Sequence, residues 1–393
     1  MENIIVESQI YFDNASATPV DRRVLEDMLP YFSISFGNPS SLHDFGDKGH
    51  EALDNAREQV ASLIGAESEE IYFTSCGTES NNLALWGIAR SLKDKGDHII
   101  SSSIEHQSII NPLKEMKKEG WEITHVGVDN DGFVDPDDIK KAIKKSTVLI
   151  TLMHANNEVG TIQKIGETSK IARENGVVFH CDGVATAGVI PVDVNKLGVD
   201  LYTLSSQQMY GPKGAAALYL KKGTRIKPIL LGGIQEKGRR AGTENIPALV
   251  GFGRACELAN VDMGKNTKNI IYNRDKLIDG IFKNIKDVKL NGHRTKRIPG
   301  SAHMSFEYIE GESILLMLNM QGIFAASGSS CASQALKSSY VLTEMGITST
   351  LAQGSISFSL GKYNTKEEVE RTLEVLPPIV DRLRQISPIY KSE

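Results

Sequence analysis

The sequence is short of several things whose absence narrows what it can do. It holds no apolar run long enough to cross a bilayer, so no helical membrane span is expected. Its four cysteines, Cys76, Cys181, Cys256 and Cys331, are widely separated and form no C-x-x-C pair, which argues against a self-contained zinc site or a disulfide framework. There is no basic surplus: 44 Lys and Arg against 49 Asp and Glu leave a formal net charge of -5. Nucleic acid is therefore not an expected partner, because phosphate contacts need a concentrated basic surface. The short basic stretch His293-Arg294-Thr295-Lys296-Arg297 reads as a solvated turn. The first residues lack a basic region followed by a long apolar stretch, so no targeting peptide is read and a cytoplasmic location is expected.

What is present is an ordinary globular composition, 40% hydrophobic and 24% charged. At 393 residues the chain exceeds the size at which one core usually stops growing, so two domains are expected. Short apolar runs, at Glu70–Phe73, His98–Ile100, Val148–Thr151, Val177–His180, Leu201–Leu204 and Ala217–Leu220, read as strands. Between them, Glu51–Ile64, Ile109–Lys118 and Ile165–Glu174 carry helical spacing. The alternation predicts an α/β fold, a mostly parallel sheet covered by helices. In such sheets ligands sit beyond the carboxyl ends of the strands, and the polar clusters fall there: Thr74 to Asn82, Ser102 to His106, His154 to Glu158, Asp182, and Ser205 to Gln208. A long helix is expected from about Asn245, followed by a smaller α+β region. Its last helix opens on a capping box, Thr365-Lys366-Glu367-Glu368, and Pro377-Pro378 is expected to kink or restart it.

The segment Thr74-Ser75-Cys76-Gly77-Thr78-Glu79-Ser80-Asn81-Asn82 follows a strand and precedes a helical pattern. It can offer backbone N–H groups and a hydroxyl to a phosphate, or it is an N-capped helix start and no more. Further motifs follow in order: Asp13–Pro19, Phe36–His43, Glu105-His106, His154–Gly160, His180-Cys181-Asp182, Ser205–Gly214 with Tyr210-Gly211-Pro212-Lys213-Gly214, Arg240–Asn245, and Ala326-Ser327-Gly328-Ser329-Ser330-Cys331. From about residue 10 to the C-terminus this series resembles the NifS/IscS-type cysteine desulfurases, of the class-V aminotransferase group of fold type I pyridoxal phosphate enzymes.

The resemblance implies a seven-stranded-type sheet in a large domain, residues 12–258, with 1–11 and 259–393 forming a small α+β domain that carries Cys331. Gly77, Thr78, Ser205 and Thr243 would bind the phosphate of pyridoxal phosphate, Thr243 from the partner subunit of a homodimer. His106 would stack on the ring, Asp182 would pair with its nitrogen, and Asn157 would contact ring or substrate. Cys331, in a Gly/Ser-rich setting, would take sulfur from cysteine as a persulfide. His106 and His180 both adjoin strand ends, where satisfied core histidines also occur, and the core reading is preferred for His180.

Four positions leave the family pattern. Gln208 stands where the family has the lysine that binds the cofactor covalently, and an amide nitrogen is not a usable nucleophile. Gln207 replaces the preceding histidine, Ala185 a glutamine facing the cofactor's phenolic oxygen, and Ser357 the arginine that clamps the substrate carboxylate. Pyridoxal phosphate is then held non-covalently or not at all. Three readings stay open. In the first the chain is a sulfur-transfer protein whose Cys331 is a persulfide carrier, or a thiolate ligand to an iron–sulfur cluster shared with a scaffold or sulfur-acceptor partner. The second is a slow desulfurase with loose cofactor, and the third a catalytically inactive structural subunit.

Overall fold

The computed structural model describes residues 9–327, 338–388 and 390. The chain enters through a two-residue strand, β1 (Ile10–Tyr11), and then builds a seven-stranded sheet. Its strands are β2 (Ile71–Thr74), β3 (His98–Ser102), β4 (Glu122–Val126), β5 (Thr147–Met153), β6 (Val178–Asp182), β7 (Leu201–Ser205) and β8 (Ala216–Leu220), in the spatial order β2-β8-β7-β6-β5-β3-β4. Strands β3 to β7 run parallel, while β8 pairs antiparallel with β2 and β7. Each strand run expected from the sequence is present. The edge strand β4 was not legible there, because it is half-solvated, with Glu122 and His125 exposed and only Val126 fully buried.

Both faces of the sheet are apolar because helices cover both. Tyr72, Leu149 and Leu201 pack with the helices Gly77–Ser91 and Gln107–Lys118; their neighbours Phe73, Ile150 and Tyr202 pack on the other side with Asp44–Ile64, Ile165–Glu174 and the start of Ile246–Asn284. This is the period-2 alternation of a strand, apolar on both phases. Asn245 caps that last helix, accepting from Ala248 N. Over its 39 residues it passes from the sheet's core into a second apolar cluster, which its Leu277, Ile278 and Ile281 share with Ile10, Phe12, Met304 and Phe358. There β9 (Val288–Leu290), β10 (Ser301–Phe306) and β12 (Ser355–Ser359) form an antiparallel sheet, and β11 (Ile323–Phe324) pairs with β1.

Two expectations need correction. The helix Lys366–Ile386 is opened by the expected Thr365–Glu368 capping box, yet it is not restarted at Pro377-Pro378. Val375, Leu376, Ile379 and Val380, on either side of the prolines, are all buried, so packing carries the helix through. The basic stretch is a surface turn only as far as Lys296. Arg297 is 3% exposed. Its Nη2 donates to the carbonyls of Val159 (2.6 Å) and Asn291 (2.5 Å), and burial beside Arg274 pushes its pKa down to about 9.

Phe252 is fully buried and meets Phe73 edge-on at 6.3 Å, joining the long helix to the sheet. Phe252→Ala is expected to destabilise the protein by about 3–5 kcal/mol, read as a lowered denaturant midpoint; a midpoint unchanged from wild type would show that the two elements do not depend on this contact.

Candidate active site

Strand register brings the expected residues to one height. Met153 pairs with Asp182 and Asp182 with Thr203, so the loops after β5, β6 and β7 leave the sheet side by side. Together with the turns after β2 and β3 they floor a cleft of about 790 Å³. Gly77, Thr78, His106, Asn157, Asp182, Ser205 and Gln208 all line it. Thr243 does not line this chain's cleft; it is exposed, beyond the Arg240 side chain that pairs with Glu79 at 2.8 Å. Cys331 lies outside the described residues, although Ser327 and Ser338, which flank that segment, both line the cleft.

One end of the cleft suits a phosphate. Cys76 stands at the N-cap of the helix Gly77–Ser91 without a capping side-chain bond, so the first helical amides have no side-chain acceptor. Gly77 is needed there: a Cβ would lie 2.8 Å from Val184 Cγ2, and the position is within 3.8 Å of Ser205 Cβ. The other end suits a ring. Asp182 is buried, which pushes its carboxyl pKa up, against the donors Val184 N (3.0 Å) and Asn81 Nδ2 (2.7 Å) and the nearby His106. His106 caps the helix Gln107–Lys118, its Nδ1 accepting from Ser108 N at 3.1 Å. His180 is a core histidine: Thr151 and Thr203 hydroxyls satisfy its ring nitrogens at 2.9 and 3.0 Å, and burial pulls its pKa down to about 3.

The turn after β7 borders the same cleft. Gln208 sits in a single 3-10 turn, Ser206–Met209, and its Nε2 donates to Ala15 O at 3.0 Å. Thr18 fixes the same turn, donating to Gln207 O (2.6 Å) and accepting from Tyr210 N. Tyr210 takes the left-handed conformation, with φ 63°, that ends the turn. Ala185 and Ser357 line the cleft. The cationic side chain among the lining residues is Lys362, held by Asp21 at 2.6 Å. Cys181 is buried, its thiol pushed up by burial beside Asp182 and Glu105, whereas Cys76 is exposed. No group of three or more metal-ligating side chains occurs among the described residues.

Residues 10–372 match the Aminotransferase class-V family. The chain is 50% identical over 388 residues to cysteine desulfurase IscS of Dictyoglomus turgidum, covering 99% of this chain and 98% of that protein. The chain belongs to the NifS/IscS-type branch of the class-V aminotransferase family. Cysteine desulfurase IscS of Methanosarcina thermophila is 48% identical, covering 100% of this chain and 97% of its own length. Among solved structures, a NifS-like protein superposes with a TM-score of 0.90 at 35% identity, covering 96% and 100% of the two chains. The apo cysteine desulfurase from Thermococcus onnurineus NA1 gives 0.86 at 27%, covering 95% of each. The fold is thus that of fold type I pyridoxal phosphate enzymes, and the residues fit the cofactor: uncapped amides and Ser205 toward a phosphate, an acceptor-only carboxylate toward a ring N–H. They include no lysine at 208.

Sequence reading missed two residues of the cleft, Asn81 and Ser108. Asn81 lies inside the quoted phosphate motif, and Ser108 two residues past His106 has the spacing of a hydroxyl that folds back on a helix N-cap. It also missed two acids, Glu105, which is buried behind the cleft, and Glu158, which is half-buried and lines it. Burial pushes Glu105 up to about 8, and Glu158, which accepts from Ser339 Oγ at 2.5 Å, up to about 7. Both folded values exceed the unfolded carboxyl value of about 4.3. Their contribution to stability is therefore fully present below that value and lost as pH rises through about 7 and 8. The melting temperature is expected to fall across that range in wild type and to fall less in Glu105→Gln/Glu158→Gln; equal slopes would refute the assignment.

Proposed function

We propose that the chain is a sulfur-transfer protein of the cysteine desulfurase type, in which the cleft holds pyridoxal phosphate without a covalent bond and Cys331 carries the sulfur. The observation that carries this reading is the contrast within one cleft. Gly77, Thr78, Ser205 and Asp182, which this reading assigns to the phosphate and the ring nitrogen, line it together, while the Gln208 amide donates to Ala15 O. When bound, pyridoxal phosphate supplies an electron sink for the substrate's α-carbon. Gly77 and Thr78 amides with the Ser205 hydroxyl hold the phosphate, joined by Thr243 of a second copy. Asp182 keeps the ring nitrogen protonated, His106 lies against the ring, and Asn157 bounds the substrate side.

Ordinary turnover is impaired in this reading. No lysine at 208 moves the proton at the α-carbon, a loss of about 10²–10⁴ in rate for a positioned acid/base group. Ser357 cannot clamp a carboxylate as an arginine does. Cys331 then carries sulfane sulfur as a persulfide, taken by exchange from a donor persulfide that leaves as a thiol and passed to an acceptor thiol as the Cys331 thiol is released, or the Cys331 thiolate joins an iron–sulfur cluster on a scaffold partner. A homodimer is supported by apolar side chains left on the surface near the N-terminal segment: Leu29, Phe32, Ile34 and Phe36 are 56–70% exposed and Leu42 wholly so. The proposed division at residue 258 is supported by the two separate apolar clusters. The relatives named cysteine desulfurase and the intact Asp182 environment favour a second reading, slow desulfuration of L-cysteine with the same loose cofactor.

Two measurements separate these. After borohydride reduction with pyridoxal phosphate, wild type is expected to show no cofactor adduct by mass, whereas Gln208→Lys acquires one on residue 208. An adduct of equal yield in wild type would overturn non-covalent binding. Alanine formed from L-cysteine above the rate of free cofactor supports the slow enzyme; none leaves Cys331 as carrier or ligand. In either case Cys331→Ser is expected to abolish sulfur or cluster delivery to an acceptor, and undiminished delivery would sink the role of that thiol.

A further inference from the structure

The hydrogen bonds around Asp182 leave one consistent arrangement of protons. The backbone N–H of Ser108 donates to His106 Nδ1 at 3.1 Å. A nitrogen that accepts carries no proton, so the neutral ring has its proton on Nε2. The Ser108 hydroxyl lies 2.7 Å from the same Nδ1 and therefore donates to it. That spends its single proton, and its contact with Asn81 Nδ2 at 2.8 Å is one in which the amide donates. The other hydrogen of that amide goes to Asp182 Oδ2 at 2.7 Å, while Val184 N donates to Oδ1 at 3.0 Å. Both carboxyl oxygens are acceptors. Asn81 Oδ1 is buried without a partner, so the amide is oriented by its two donor bonds alone.

We propose that Asn81 and Ser108 are positioning residues, a relay that starts at the Ser108 backbone amide and holds Asp182 as a proton acceptor and His106 with its proton on Nε2. Its consequence is the state of the cleft: a carboxylate ready to receive a ring N–H, beside an imidazole whose outer nitrogen is a donor. Burial opposes the ionised carboxylate, and Ser108 and Asn81, 6% and 1% exposed, are themselves shielded from the water that would otherwise stabilise it. The other titratable groups facing Asp182 are His106, Glu105, Cys181 and Tyr202, with His154 donating its backbone N–H to the Asp182 carbonyl. None of the four donates to its carboxyl oxygens. Only the last step of this inference rests on the cofactor reading; the relay belongs to the ligand-free chain.

The decisive variant is Ser108→Ala, because Ser108 does not touch Asp182. Carboxyl ¹³C NMR of the ligand-free protein, with Glu105→Gln measured alongside to separate that group's own titration, follows Asp182. Its midpoint is expected to rise by about one pH unit in Ser108→Ala, as the loosening of the Asn81 donor that favours the charged form requires, at least as far in Asn81→Leu, where that donor is lost, and to return in Ser108→Thr. In the same samples ¹⁵N spectra should still show His106 protonated on Nε2 in Ser108→Ala, since the backbone amide remains, which certifies a folded site. An Asp182 midpoint unmoved in a Ser108→Ala protein with that His106 signature overturns the relay. Pyridoxal phosphate titrated by absorbance is expected to bind about tenfold more weakly to Ser108→Ala. A wild type that does not bind it overturns the cofactor reading and leaves the NMR result standing.

Discussion

A carboxylate buried at the end of a central strand is costly unless donors meet it, and this cleft is arranged around that cost at Asp182. The strand β6 delivers the group between β5 and β7, where Met153 has no donor and the Thr203 hydroxyl bonds His180 instead. The donors come instead from the turn that follows, through Val184 N, and from the helix Gly77–Ser91, through Asn81. That helix must start close to the sheet to reach, and it can only do so because residue 77 has no side chain to strike Val184. Its first turn, without a capping side-chain bond, faces the cleft through the same close approach that serves the carboxylate.

Much of this was legible in the residues. Apolar runs bounded by polar clusters gave the sheet from β2 to β8 except β4, whose solvated edge lacks the pattern. Loops at the carboxyl ends gave Gly77, His106, Asp182 and Ser205. What the sequence could not show was who holds whom. Asn81 and Ser108 are 27 positions apart and ordinary in type, and only the approach of two helix starts makes them partners. Glu105 and Glu158 read as polar loop residues because burial is a property of the assembled fold. Arg297 reads as the end of a basic turn for the same reason: its carbonyl partner on Val159 is 138 positions away.

Gln207, Gln208, Ala185 and Ser357 line the same cleft as Gly77, Asp182, Ser327 and Ser338. Gln208 is not idle there, since its amide ties the turn after β7 to Ala15. That bond is a tether, joining the large sheet to the incoming segment across the cleft. The turn that carries Gln208 and the donors that meet Asp182 have separate structural supports, Ala15 and Thr18 for the one, Asn81 and Val184 for the other.

The Ala15 segment also has a history during synthesis. Asn14 donates to Ser359 O at 2.9 Å across 345 positions of chain, and β1 can pair only once β11 exists. At a ribosomal rate of about 5–20 residues per second, roughly 17–70 s separate the making of those two partners. The sheet's last strand, β8, ends at Leu220, 139 positions before Ser359, so a nascent chain holds its completed sheet and its buried carboxylate for roughly 7–28 s before the partner that fixes the wall gripped by Gln208 has been made.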